Sequence, residues 1–249
     1  MSFTGRFSDR AGDYAAGRPS YPAAAIDLLF EGLGDPREVV AADLGAGTGI
    51  SSRLLAERGA QVYAVEPNQA MRDAAEPHPR VEWVAVPAEH TGLHEASCDL
   101  AAVFQAFHWF DQRAALDEIV RILRPGGRAA VIYNERDERD PFTAAYGDLV
   151  RRYQTDETER RRADALDAFA AFEAWQAKRR IEVPNEHPMD AEGVLARARS
   201  TSYLPKDGPA AEALHRELRE LAGRFARGGR LTMAMRTIVL ACDIGTAGG

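Results

Sequence analysis

Val39-Val40-Ala41-Ala42-Asp43-Leu44-Gly45-Ala46-Gly47-Thr48-Gly49 decides the fold: a short apolar run enters a glycine-rich turn, and Glu66 follows 21 residues after Gly45. The run reads as a buried strand and the turn as the entry to a helix. Glu66 then stands at the end of the next strand, where a carboxylate can take a ribose diol. The arrangement predicts an adenosine-containing cofactor. A side chain at Gly45 or Gly47 would block the cofactor's approach to the backbone, and glycine adopts the required dihedrals cheaply. The spacing is G-x-G-x-G, whereas pyrophosphate-binding dehydrogenases favour G-x-G-x-x-G with the phosphates at the helix N-terminus. Asp43 fits poorly beside a pyrophosphate and suits a cationic amino group.

Outward from this stretch, apolar runs at 39–44, 61–65, 81–86, 99–104 and 128–133 alternate with helical patterns. Such alternation predicts an α/β fold: a Rossmann-like, doubly wound, mostly parallel sheet covered by helices on both faces. The helix at 51–58 stops at Gly59, and the next starts at Asn68 as N-cap and ends before Pro77. Leu116, Ile119, Val120 and Leu123 recur at helical spacing before Pro125-Gly126-Gly127 turns the chain into the fifth strand. After Tyr133 the alternation breaks. Residues 141–177 and 190–227 read as mostly helical, with 179–184 and 230–243 as strand candidates. The expected organisation is one domain over 1–249, with an N-terminal element at 1–22, a cofactor-binding core at 36–135 and a helical cap at 140–230 with late strands to 243.

Composition narrows the partners. The 249 residues carry a net charge of −7, and of 31 basic residues only Lys178 and Lys206 are lysines. An acidic domain repels phosphate backbones, so nucleic acid is not the expected partner. The cluster Arg160-Arg161-Arg162, following Asp156 and Glu157, reads as a solvated, paired helix face. Cys98 and Cys242 have no metal-ligand spacing, the six histidines are scattered, and no metal is expected. Residues 1–6 contain no apolar signal region and no segment approaches the roughly 20 apolar residues that span a bilayer, so the expected setting is a reducing cytoplasm without membrane insertion.

The glycine turn resembles motif I of the class I S-adenosylmethionine-dependent methyltransferases. Phe7 to Pro22, with Tyr14, Arg18 and Tyr21, is similar to the opening of the type 11, trans-aconitate methyltransferase-like group, where a Y-x-x-x-R-P element folds over the cofactor. The match continues in Phe104 to Asp111, Tyr133 to Asp137 and Arg199 to Tyr203. The Leu123-Arg124-Pro125-Gly126-Gly127 run also looks like the turn before strand five in this class. The resemblance implies a seven-stranded sheet whose last strand is antiparallel, helical cap insertions in the C-terminal third, and S-adenosyl-L-methionine as cofactor. It implies that Gly45, Ala46 and Gly47 pack their backbone against the methionyl and ribose parts, that Asp43 faces the amino group through water or directly, and that Glu66 binds both ribose hydroxyls. Met71 matches a position that packs on adenine, or else fills core. Ala88-Glu89 matches the segment that reads the adenine edge. Pro87 departs from the family, where aspartate is common, leaving the adenine amino group to Glu89 or to backbone. Gln105 falls where strand four ends beneath the sulfonium.

Methyl transfer from a sulfonium is an in-line displacement that needs little proton chemistry, so positioning and water exclusion supply most of the catalysis. His108, at the mouth of the site, is the candidate catalytic residue: it orients the acceptor, serves as general base for a hydroxyl or amine, or is a structural histidine. Trp109 and Phe110 wall an acceptor pocket or fill core. Arg18 fits the methionine carboxylate or an acidic acceptor, and Arg136 and Arg199 are the further candidates for an anionic acceptor. Tyr14, Tyr21 and Tyr203 are expected to help close the site. The expected function is methylation of a small molecule, on oxygen in preference to nitrogen or carbon. The alternatives are a cofactor-binding regulatory or assembly protein without turnover, and an NAD(P)-dependent oxidoreductase, which the glycine spacing disfavours.

Overall fold

Residues 20–245 are described by the computed structural model, and in them strands and helices alternate through most of the chain. In order these are α1 (Ala23–Phe30), β1 (Val40–Leu44), α2 (Ile50–Glu57), β2 (Gln61–Val65), α3 (Gln69–Asp73), β3 (Val81–Val84), β4 (Cys98–Phe104), α4 (Gln112–Ile122) and β5 (Leu123–Arg136). There follow α5 (Pro141–Tyr153), α6 (Thr158–Ala171), β6 (Trp175–Met189), α7 (Ala191–Ser200), α8 (Gly208–Phe225) and β7 (Leu231–Ile244). The sheet has seven strands in the order β3-β2-β1-β4-β5-β7-β6. β1 to β5 pair in parallel, and β7 runs antiparallel to both β5 and β6. This is the expected Rossmann-like mixed sheet. Its order reverses between β1 and β4, and the crevice outside the carboxyl ends of those two strands is where open α/β sheets place ligands.

Period-2 side-chain alternation divides the core into two layers. Ala42 and Leu44 of β1 join Ala101 and Val103 of β4 on one face, packed with Leu116 and Ile119 of α4. Ala41, Leu100, Ala102 and Phe104 lie on the other, packed with Leu55 of α2 and with Ile26 and Leu29 of α1. A third apolar cluster, separate from the sheet core, joins α5, α7 and α8 through Phe142, Tyr146, Val194, Leu195, Leu214 and Leu218. Short polar caps start the helices: Asn68 accepts from the Ala70 amide, Asp111 from Ala114, Asp140 from Thr143 and Asp190 from Gly193.

Three boundaries differ from the sequence reading. β5 begins at Leu123 rather than Arg128, because a register shift between Cys98 and Leu100 absorbs the Pro-Gly-Gly segment. β6 spans Trp175–Met189 where only 179–184 was expected, so the helical reading of 141–177 runs past the end of α6 at Ala171. Pro184 and Pro188 hid its length, yet β6 is an edge strand, the one place in a sheet where a missing amide is tolerated. α1 has no counterpart in the sequence reading, since Pro22 starts it without any side-chain cap.

Candidate active site

The turn after β1 is built from three glycines in the left-handed region, Gly45 (φ 72°), Gly47 (φ 58°) and Gly49 (φ 76°), a region that costs other residues strain. The amides of Gly45 and Ala46 donate to the Val65 carbonyl at 2.8 and 3.1 Å, tying the turn to the end of β2. Glu66, the next residue, reaches back: its Oε2 accepts from the Gly47 amide at 3.0 Å and its Oε1 from the Asn68 amide at 2.8 Å. Burial raises the Glu66 carboxyl above its ordinary range, and those two amides oppose the rise. The glycines themselves differ. A Cβ on Gly45 would stand 2.7 Å from the Ala106 Cβ and 3.0 Å from the Phe110 ring, so this glycine is required by the loop packed against it. A Cβ on Gly47 would meet nothing within 4 Å, and here the backbone lies open to an approaching group.

Asp43 lies behind the turn. Its side chain is buried, with Oδ2 accepting 2.6 Å bonds from the hydroxyls of Ser51 and Ser52 at the start of α2 and Oδ1 without a partner. Asp43 is absent from the cavity wall. Burial pushes its carboxyl up to about 6, against the two serine bonds and with help from the Glu66 charge.

Beyond the turn lies a cavity of about 360 Å³. Gly45, Ala46, Gly47 and Thr48 form one wall; Gln105, His108 and Trp109 from the end of β4 form another; α6 and the Ser200 to Tyr203 loop close the far side. Gln105 takes a positive φ of 56°, unusual for a non-glycine residue, and its amide nitrogen donates to the Asn134 carbonyl at 3.1 Å. Tyr21 enters from the N-terminal side with its ring 4.8 Å from Phe104. His108 lies on a short 3-10 turn against Trp109 at 4.5 Å, and its Nδ1 stands 2.9 Å from the Tyr133 hydroxyl.

The other residues singled out in the sequence divide between the cavity wall and its surroundings. Phe110 packs on the core and on Gly45, its ring 6.0 Å from the buried Phe107, and is absent from the cavity wall. Met71 and Ala88 are buried, and the Glu89 carboxylate accepts from the Asp111 amide at 2.8 Å. Arg136 lines the cavity, but its charge is taken up by Glu159 at 2.6 Å and Glu138 at 3.4 Å. Burial alone would lower its proton affinity, and the Glu159 charge more than reverses that. Tyr203 is nearly buried and donates to the same Glu159 at 3.3 Å. Arg199 does not reach the cavity; Arg197 does. Two residues apart on a helix lie on nearly opposite sides, so one of the pair must turn away. Tyr14 and Arg18 lie outside the described residues.

The arginine cluster at 160–162 also divides by helical geometry. Arg160 is exposed and pairs with Glu157 and Asp164, as the sequence reading expects. Arg162 instead faces the cavity, its guanidinium 4.9 Å over the Tyr133 ring. Arg162, Arg197, Arg151 and Tyr146 are cavity residues that the sequence reading missed, because each falls in a helix whose register against the sheet is set by the cap. Among the described residues, no group of three or more His, Cys, Asp or Glu side chains gathers as a metal site, and no helix is long and apolar enough to cross a membrane.

Residues 42–131 match the family described as Methyltransferase domain. An uncharacterized methyltransferase of Mycobacterium tuberculosis strain H37Rv is 41% identical over 147 residues, 59% of this chain and 59% of that protein. A malonyl-[acyl-carrier protein] O-methyltransferase of Pseudescherichia vulneris is 36% identical over 108 residues, 43% of each chain. This chain spans about three fifths of the length of the first of these curated relatives. A solved structure from Anaeromyxobacter dehalogenans, provisionally named a type II methyltransferase, is 28% identical with a TM-score of 0.69, covering 92% of this chain and 99% of that one. The match to the methyltransferase domain thus falls on the glycine turn and the parallel strands, and the likeness to the Anaeromyxobacter structure extends over the sheet as a whole. The matched stretch runs from β1 into β5. At the switch point the open backbone at Gly47 and the Glu66 carboxylate, whose oxygens keep lone pairs beyond the two amide bonds, stand side by side, a pairing that fits a ribose diol.

Proposed function

We propose that this protein transfers the methyl group of S-adenosyl-L-methionine to an oxygen, hydroxyl or carboxylate, of a small-molecule acceptor, in preference to nitrogen or carbon. The observation that carries this reading is the 360 Å³ cavity running from the glycine turn to the cap. It is of a size for a small molecule, and its wall carries Arg136, Arg151, Arg162 and Arg197 beside Glu135, Glu138 and Glu159, a mixed lining that can recognise a polar or anionic acceptor. The name of the Pseudescherichia relative supports oxygen as the methylated atom.

In this reading Glu66 takes the ribose hydroxyls, the backbone of Gly45 to Gly47 packs against the methionyl and ribose parts, and Met71 with Ala88 and Glu89 flanks adenine. Gln105 lies beneath the sulfonium. Asp43 acts through α2, fixing the turn by way of Ser51 and Ser52. The cofactor supplies an electrophilic methyl carbon. As the acceptor's lone pair bonds to that carbon, the carbon–sulfur bond breaks and its electron pair passes to sulfur. The protein's part is to hold the acceptor about 3 Å from the methyl carbon, on line and dry. His108, Trp109, Tyr21, Tyr203 and Arg197, which line the cavity, take that part in this reading.

The test is a small-metabolite extract incubated with the protein and deuteromethyl-labelled cofactor. Mass spectrometry is expected to find labelled small molecules bearing the label on oxygen. Label only on protein or nucleic acid would overturn the reading.

A further inference from the structure

We infer that Tyr133 is a positioning residue that holds His108 as the neutral tautomer protonated on Nε2, so that His108 meets the acceptor as a hydrogen-bond donor and not as a base. The inference rests on the reading of His108 as a residue that faces the acceptor.

The argument is an accounting of one hydroxyl. Tyr133 lies at the inner end of β5 with its ring fully buried. Among the described residues its oxygen has two partners, and both belong to His108: the backbone amide at 3.2 Å and Nδ1 at 2.9 Å. The amide has only a proton to give, so it donates, and one lone pair of the hydroxyl is used. The hydroxyl proton must then find an acceptor, and Nδ1 is the one within reach. If Nδ1 carried the proton instead, the hydroxyl would accept twice and its own proton would be a buried, unpaired donor, an arrangement proteins avoid. Burial pushes the Tyr133 hydroxyl up to about 12, with Arg162 and the His108 amide pulling the other way, so it keeps its proton at neutral pH. The Arg162 guanidinium over the ring braces the tyrosine from the cavity side.

With Nδ1 committed to accepting, the remaining ring nitrogen carries the proton. A nitrogen that already holds a proton cannot remove one from an acceptor hydroxyl or amine. It can donate to a second oxygen of the acceptor and so aim the attacking atom. The arrangement therefore favours an acceptor whose attacking oxygen arrives without a proton to lose, as an ionised carboxylate does.

Histidine-selective ¹⁵N labelling of the full chain, read by long-range proton–nitrogen correlation, tests the tautomer directly, with the His108 signals identified by their loss in His108→Gln. The expected spectrum shows protonated Nε2 and a hydrogen-bonded, unprotonated Nδ1. A proton on Nδ1 in the wild-type protein would overturn the inference by itself, whether or not any variant folds. In Tyr133→Phe the Nδ1 resonance should lose its hydrogen-bond shift while the other five histidines stay put; an unmoved Nδ1 resonance also overturns it. Turnover, measured as S-adenosylhomocysteine release in the metabolite extract, separates donor from base. Glutamine keeps an N–H near the Nε2 position, so His108→Gln should stay within about tenfold of wild type while His108→Ala falls further. Equal losses of about 10² to 10⁴, the range of a lost general base, would count against the donor role. Absence of any wild-type turnover would refute the proposed function and leave the spectroscopic result standing.

Discussion

Ala106 stands where Gly45 cannot have a side chain: a Cβ on Gly45 would lie 2.7 Å from the Ala106 Cβ, with the Phe110 ring at 3.0 Å behind it. The loop after β4 is thus packed directly onto the turn after β1, and the two ligand-facing loops are one mechanical unit. Gly45→Ala combines left-handed strain with a backbone-anchored clash, and is expected to cost about 2–4 kcal/mol of stability. Gly47→Ala has the strain alone, about 1–2 kcal/mol. Thermal unfolding and calorimetry should therefore rank them oppositely, with Gly45→Ala losing more stability and Gly47→Ala losing more cofactor affinity for its effect on melting. The same rank in both assays would show that the turn makes no separate ligand contact.

Asp43 gives a pH signature. Its carboxyl is raised by burial from 3.8 to about 6. An acid raised in the folded state contributes stability that is fully present below the unfolded value and is lost as pH rises through the folded one. The gap corresponds to about 3 kcal/mol. Comparison of wild type with Asp43→Asn by denaturant unfolding should show wild type losing stability relative to the variant as pH rises from about 4 to about 6, with little further change above that. Parallel curves for the two proteins would mean that the carboxylate ionises at no cost and that Oδ1 has a partner.

Glu66 joins the turn to β2 through two backbone amides, so its loss has a structural part and a ligand part. Glu66→Gln keeps an acceptor for only one of the two amides and offers the ribose a neutral group. Cofactor binding should weaken by about 1.5–3 kcal/mol, the scale for hydrogen bonds to a charged group, with a smaller change in melting temperature. Calorimetry that returns an unchanged dissociation constant removes Glu66 from the ribose.

How far the sequence was legible depends on the range of the interaction. The turn, the Asn68 cap and the parallel strands are written in adjacent residues, because a glycine in the left-handed region or a side chain capping an amide two residues on needs no distant partner. Gln105 and His108 were also within reach, since the end of β4 falls at the sheet's switch point once the strand order is known. The cap was harder. Arg197 and Arg199, like Arg160 and Arg162, are indistinguishable in composition. Which of each pair enters the cavity is decided by the rotation of α7 and α6, and that is fixed by Val194, Leu195, Ala165 and Phe169 packing on residues far away in the chain. The pairing of Arg136 with Glu159 has the same origin, as 23 residues and the whole of α5 separate the two.

Arg136 and Glu159 form a pair with 15% and 28% of their side chains exposed, at 2.6 Å. Because Glu159 is partly solvated, the coupling is discounted from that of a fully buried pair to about 1–2 kcal/mol. A double-mutant cycle on stability with Arg136→Met and Glu159→Gln is expected to show that coupling. A cycle that is additive would return Arg136 to the role of a cation available to an acceptor.

Arg197 and Arg199 offer the sharpest contrast on one helix. Arg197 lines the cavity beside Thr201 and Tyr203, while Arg199, two residues on, is rotated by about 200° and does not. If the acceptor carries an anionic group, a guanidinium in the cavity wall supplies a charge-assisted hydrogen bond worth about 1.5–3 kcal/mol. Arg197→Gln should then raise the KM for the acceptor by about tenfold or more while leaving cofactor affinity unchanged, since 1.4 kcal/mol is a factor of ten. Arg199→Gln should leave both within about twofold, on the scale of an ordinary surface substitution. Steady-state kinetics with the acceptor found by deuteromethyl labelling decides between them. An acceptor KM that responds to Arg199 and not to Arg197 would mean that α7 turns its other face to the site.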